Sequence, residues 1–306
     1  MSRSGRTYAP AGLRPEWERE GCDWPNREHS RFAAAAGRHW HVQLWGSGPV
    51  LLLAHGTAAS THSWRGLAPL LAEHFTVVAP DLPGHGFTEA PLPSRLSLPG
   101  MAWGLGMLLK TLALAPDIAV GHSAGAAVLA RMCLDQTIAP RALVSLNGAL
   151  LPMHGTAGHV FAPLAKLLAS VPLVPLFMSW RAADRSAVER LIRETGSTIE
   201  PEGIDYYARL LRRPAHVRGA LGMMAQWDLR ALARDLPRLR TPLTLLVGDN
   251  DRAIPPSQAD RVRALVPGAV VVHLPGTGHL SHEERPDATA GIILDAARRA
   301  GLRASA

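Results

Sequence analysis

The pentapeptide Gly121-His122-Ser123-Ala124-Gly125 sits where a short apolar run, Ile118 to Val120, meets an alanine-rich segment, Ala124 to Leu134. The first has the character of a buried strand and the second of a helix, so the chain must turn from one to the other within a residue or two. A turn that sharp lifts Ser123 into a strained backbone conformation and brings strand and helix so close that side chains at its flanks would collide. Glycine at 121 and 125 removes those collisions. The same geometry aims the Ala124 N–H and the helix N-terminus at the point where a tetrahedral oxyanion would form next to the serine.

Around this joint the chain alternates short apolar runs with turn signals and longer helical patterns, as in a largely parallel sheet covered by helices. Val50 to Ala54 reads as a strand ending in His55-Gly56. Phe75 to Pro80 reads as another, ending in Asp81-Leu82-Pro83-Gly84-His85-Gly86. Ala142 to Leu146, Leu243 to Val247 and Val270 to Leu274 supply three more, and Leu105 to Leu114 reads as a helix. His39 to Trp45 alternates polar and apolar residues, which predicts a half-exposed antiparallel edge strand. Between the strand ending near Asn147 and that starting near Leu243 lies far more chain than a simple crossover needs. Residues 150–228 therefore read as an inserted helical cap, cut into short pieces by prolines 152, 163, 172 and 175. Residues 31–149 and 229–306 form the core, and residues 1–30 a polar N-terminal arm expected to be mobile.

At 306 residues and 47% hydrophobic, the chain can bury one large core. The apolar stretch Leu164 to Trp180 is interrupted by Lys166, Ser170, Pro172 and Pro175, short of the roughly 20 clean residues of a membrane span. Met1 to Trp24 lacks the apolar region of a secretory signal, so a cytoplasmic location is expected. Cys22 and Cys133 are too few for a disulfide framework. The formal charge of +7 comes from arginine, lysine occurring only at 110 and 166. Basic residues alternate with acidic ones and no basic run carries interleaved aromatics, so no nucleic-acid partner is expected.

A neutral serine hydroxyl is a weak nucleophile and needs a base within hydrogen-bond reach, itself held by a carboxylate. Two downstream segments offer them. Gly248-Asp249-Asn250-Asp251 follows a strand and is closed by Pro255, and Gly276-Thr277-Gly278-His279 follows the last strand. Both lie at the carboxyl ends of strands, where sheets of this kind build their sites.

In the order serine, acid, histidine, and in the context of its pentapeptide, the chain from Arg31 to Arg299 resembles the α/β-hydrolase superfamily. That resemblance implies an α/β fold with a mostly parallel eight-stranded sheet flanked by helices and a helical cap after strand 6. It also implies Ser123 as nucleophile, His279 as general base then acid, and Asp251 as orienting carboxylate. Asp249 is the rival acid; the family spacing of Gly, two residues, Asp, three residues, Pro selects Asp251. Asn147 stands where some members carry the acid and cannot serve. His55-Gly56-Thr57 is similar to the family's oxyanion loop, making the Thr57 N–H a second donor beside that of Ala124. A narrower resemblance rests on Trp24-Pro25-Asn26-Arg27-Glu28-His29-Ser30-Arg31-Phe32, Trp40-His41-Val42-Gln43, Ala59-Ser60-Thr61-His62-Ser63-Trp64-Arg65 and Gln226-Trp227-Asp228-Leu229. These segments look like the magnesium-chelatase accessory proteins of bacteriochlorophyll biosynthesis (BchO), which implies photosynthesis and possible chelatase-subunit partners. Two functions follow: a serine esterase acting on a small apolar or porphyrin-like molecule, or a non-catalytic porphyrin-binding or assembly factor.

No cofactor or metal is expected. His39 and His41 share a strand face and His279 lies near His282, but no HExxH or cysteine cluster accompanies them. His85 reads as part of a structural turn. Phe161, Phe177, Met178, Trp180, Met223, Met224 and Trp227 are suited either to lining an apolar site or to packing cap helices on one another. Arg209, Arg212, Arg213 and Arg218 read as a solvated face, with substrate carboxylates as the alternative.

Overall fold

A computed structural model describes residues 15–152, 171 and 173–302. Eight strands form one sheet: β1 (Ser30–Ala35), β2 (Arg38–Trp45), β3 (Val50–Ala54), β4 (Thr76–Pro80), β5 (Ile118–His122), β6 (Ala142–Leu146), β7 (Leu243–Gly248) and β8 (Val270–Leu274). Their spatial order is β1-β2-β4-β3-β5-β6-β7-β8. β2 runs antiparallel to both neighbours, and the pairs from β4 through β8 are parallel.

Alternation along the strands splits the core in two. Leu52 and Ala54 join Trp40, Leu105, Leu108 and Leu129 on one face, while Leu51 and Leu53 join Trp64, Phe75, Val77 and Ile293 on the other. Each of these leucines is fully buried, and such burial stabilises by about 1.5 to 3 kcal/mol per side chain. The helices Leu98–Thr111 and Ala124–Leu134 cover the first face, and Leu67–Ala72 with Pro286–Arg299 covers the second.

Two expectations about these elements need correction. The helix expected at Leu105 begins at Leu98, with Pro99 in its first turn, where the missing N–H costs nothing. Gly100, Gly104 and Gly106 hide its start, since glycine is a poor helix former. β2 is antiparallel but internal: β1, whose three alanines give no alternating signal, lies outside it. His41 and Gln43 on β2 are consequently fully buried.

The described part of the N-terminal arm is docked, because its tryptophans have aromatic partners on both sides. The Trp24 ring, 2% exposed, packs edge-on against Phe87 and Tyr206, and its Nε1 donates to Thr61 Oγ1 at 3.0 Å. Trp17 packs against Phe32, His41 and Phe87. Gln43 Nε2 donates to the Pro25 carbonyl at 2.6 Å. Asp23 takes two hydrogen bonds from Arg209, at 2.5 and 2.8 Å, and Glu20 pairs with Arg213. These arginines thus hold the arm rather than face solvent or a substrate.

Between β6 and β7 the helices Val174–Arg181, Arg185–Glu194, Pro201–Leu211, Pro214–Ala225 and Arg230–Asp235 follow one another. Pro175, Pro201 and Pro214 each sit in a first turn, so the prolines begin helices as well as end them. Along Val174–Arg181 the small residues Pro175 and Ser179 face inward, while Phe177 and Trp180 are 60% and 68% exposed beside exposed Leu173, Leu176 and Met178. Phe177, Met178 and Trp180 therefore do not pack into a core among the described residues; Met223 is buried, and Phe161 lies outside the described residues. No helix among the described residues is long and apolar enough to cross a membrane.

Candidate active site

The loops after β3, β4, β5, β6, β7 and β8 carry His55, Asp81, Ser123, Asn147, Asp251 and His279, all at the carboxyl edge of the sheet. At the centre is Ser123, with φ 50° and ψ −117°, directly preceding the helix Ala124–Leu134. A non-glycine residue in such a conformation costs about 1 to 3 kcal/mol and must be held by its surroundings. The holding is visible: Ser123 N donates to the Leu146 carbonyl at 3.0 Å, and Ser123 O accepts from Ala126 N and Ala149 N at 3.2 and 3.0 Å. A Cβ on Gly121 would come within 2.5 Å of the Ala126 backbone, and one on Gly125 would strike the Ala54 carbonyl.

Asp251 presents a fully occupied carboxylate. Oδ1 accepts from Ala253 N and Ile254 N, both at 2.8 Å. Oδ2 accepts from Asn147 Nδ2 at 2.8 Å and from His279 Nδ1 at 2.8 Å. Asp249 points elsewhere, 2.6 Å from the half-exposed ring of His273. Asn147 is thus the second support of the acid, a role that its sequence position did not reveal. It is itself fixed by Ser281 Oγ, which donates to Asn147 Oδ1 at 2.5 Å.

His279 belongs to a loop anchored on several sides. The His122 Nε2–H donates to the His279 carbonyl at 2.9 Å, with the two rings 4.8 Å apart, so the residue before Ser123 grips the residue that carries the base. Leu280 N donates to Ser197 Oγ at 2.8 Å, and Gly278 N to Glu284 Oε1 at 2.9 Å. With Nδ1 engaged by Asp251, Nε2 has no hydrogen-bond partner among the described residues. Among the described residues Ser123 Oγ makes no hydrogen bond to it. Asp251 and His279 are therefore joined directly, and Ser123 is linked to them through the neighbouring His122.

The loop after β3 supplies the opposite wall. A Cβ on Gly56 would lie 3.0 Å from Ser123 Cβ and 2.8 Å from His122 Nδ1, so only glycine lets this backbone approach the serine. Neither the Thr57 N–H nor the Ala124 N–H donates to another protein group among the described residues.

Further histidines pack around this edge. His55, His62, His85, His122, His216 and His282 are all buried, and burial holds each below the ordinary imidazole pKa, His216 at about 4 and His282 at about 3. His41 pairs with Asp81 at 2.8 Å. Burial opposes ionisation of Asp81, but the His41 contact and the Phe87 N–H outweigh it and keep the carboxyl well below its usual range. Among the described residues no group of three or more His, Cys, Asp or Glu could hold a metal ion.

The family model described as alpha/beta hydrolase fold matches residues 49–286. The chain belongs to the α/β-hydrolase fold family. It is 39% identical over 280 residues to the magnesium-chelatase 30 kDa subunit of Rhodobacter capsulatus, covering 90% of this chain and 96% of that protein. It is 30% identical over 253 residues to the pyrrolizixenacetamide deacetylase of Xenorhabdus hominickii, covering 79% and 88%. The crystal structure of an α/β-hydrolase fold protein from Burkholderia ambifaria superposes with a TM-score of 0.72 at 24% identity, covering 87% of this chain and all of that one. This structural likeness supports the hydrolase fold alone.

Proposed function

We propose that this α/β-hydrolase is a serine esterase working through an acyl-serine intermediate. Its support is the imidazole of His279, pinned at Nδ1 by a carboxylate with every acceptor position occupied and tied through its backbone to the residue before Ser123. Ser123 Oγ attacks the ester carbonyl carbon while Nε2 of His279 takes the hydroxyl proton. The negative charge moves to the carbonyl oxygen, where the unengaged N–H groups of Thr57 and Ala124 receive it. Collapse of the tetrahedral species breaks the bond to the alkoxide, which leaves with the proton from His279. Water, activated by the same nitrogen, then hydrolyses the acyl-serine. Asp251 holds the ring through Nδ1 and stabilises the imidazolium.

The relationship to a magnesium-chelatase subunit extends the reading to an accessory role in magnesium-porphyrin synthesis, with an apolar or porphyrin-like ester as substrate and chelatase subunits as partners. The same relationship favours a second reading, a porphyrin-holding or assembly factor that makes no use of the serine. A fluorophosphonate probe separates them. The parent should label and Ser123→Ala should not; a parent that neither labels nor hydrolyses simple esters defeats the esterase reading. Porphyrin fluorescence titrated with Ser123→Ala tests the second, which predicts saturable quenching at micromolar protein.

A further inference from the structure

The helix Pro214–Ala225 belongs to the insertion, yet three of its residues at helical spacing reach the core beside Ser123. His216 spans two core loops. Its Nδ1 accepts from Gly86 N at 3.0 Å, and its Nε2–H donates to the Ala58 carbonyl at 3.1 Å. Gly219 lies so close to the turn after β4 that a Cβ there would overlap the Gly84 carbonyl oxygen. Met223, fully buried, receives the Thr57 hydroxyl at its sulfur, 3.6 Å away.

Thr57 is thereby flanked by two carbonyls, each capped by a buried imidazole. The Gly56 carbonyl accepts from His55 Nδ1 at 2.8 Å, while His55 Nε2 accepts from Leu82 N at 2.8 Å. In a trans peptide the C=O and N–H point opposite ways, so the His55 bond aims the Thr57 N–H away from His55. The Ala58 carbonyl is the one His216 holds, on a residue whose φ of 63° is unfavourable for alanine unless something fixes it.

We propose that His216 is a positioning residue for the oxyanion donor, and that the helix Pro214–Ala225 is a fixed wall of the active site rather than part of an opening flap. Its ring, held neutral by burial, is the tautomer with a bare Nδ1 and a protonated Nε2, as both contacts require. Removing it frees the Ala58 carbonyl, lets the 56–58 backbone sample other conformations and leaves the oxyanion with one aimed donor.

The inference rests on the esterase reading for its kinetic consequence but not for its structural one, and the test has an arm for each. Amide hydrogen exchange of the segment 56–60 should quicken at least tenfold in His216→Ala and return towards the parent rate in His216→Gln, whose amide both accepts and donates. On a simple ester, His216→Ala should lower kcat by roughly 10- to 100-fold, part of the 10²- to 10³-fold loss seen when one oxyanion donor is removed, with KM within about twofold. Val217→Ala, at the adjacent buried position, should lower Tm and leave kcat unchanged. Unchanged exchange in His216→Ala overturns the proposal whether or not the parent is an esterase. So does an active parent with unaltered kcat in His216→Ala, or an equal kcat loss in Val217→Ala. A parent inert to esters and fluorophosphonate defeats the esterase reading instead, and the exchange arm still decides the clamp.

Discussion

Replacing Asn147 by aspartate puts a second carboxylate 2.8 Å from Asp251 Oδ2, in a site where the two residues are only 3% and 5% exposed. At that separation and an effective dielectric of about 20, two negative charges repel by about 6 kcal/mol, equivalent to roughly four pKa units. One carboxyl of the pair should therefore keep its proton well above the ordinary carboxylate range in the folded protein. Above the ordinary carboxylate range the native state keeps a proton that the unfolded chain releases, so the variant's stability falls as pH rises, by about 1.4 kcal/mol per unit. Guanidinium melts of Asn147→Asp and parent at pH 5 and pH 8 should show the variant's deficit growing by about 3 to 4 kcal/mol between them. A deficit constant to within about 1 kcal/mol would mean that the two side chains do not share one buried site, and the support assigned to Asn147 would have to be abandoned.

The buried histidines give the parent the opposite dependence. His216 titrates at about 4 when folded against 6.5 for an ordinary imidazole, so the unfolded chain gains its proton first as pH falls. Stability should hold above pH 6.5 and then decline, with His216 alone removing about 3 kcal/mol by pH 4, as urea melts from pH 7 to pH 4 can measure. His282, at about 3, extends the loss further down, and a flat profile would contradict both. In the arm, Trp24→Ala should cost about 3 to 5 kcal/mol by thermal melt, because it empties a buried aromatic site. Arg209→Ala should cost under about 1 kcal/mol, its partner Asp23 being largely exposed; equal losses would show that charge rather than packing fastens the arm.

What was legible in the sequence is what short-range sterics dictate. The joint at Ser123 could be read because a strand meeting a helix in one residue leaves almost no choice but glycine at its flanks. Asp249 and Asp251 could not be separated by such reasoning, since both follow the same strand. Their difference lies in whether the carboxylate turns towards Asn147 and His279 or towards the exposed His273. β1 escaped notice because three alanines carry no alternation, and without β1 the buried face of β2 looked like a sheet edge. The places of Asn147 and His216 depend on contacts 104 and 158 residues away in the chain, where a local pattern holds no information. For Phe177 and Trp180 the sequence left packing between cap helices open, but the inward positions of their helix are filled by Pro175 and Ser179.

The bonds from Asp23 to Arg209 and from Glu20 to Arg213 span 186 and 193 residues, so the segment that leaves the ribosome early finds its seat among the later-made parts. At 5 to 20 residues per second, about 10 to 40 s separate the synthesis of the two sides. During that interval Trp24 lacks the Tyr206 ring and the carboxylates of Asp23 and Glu20 lack their arginines, so the side of the arm that later meets the helix Pro201–Leu211 stays uncovered. A chaperone that shelters the nascent N-terminus would thus favour correct assembly of a region almost two hundred residues downstream.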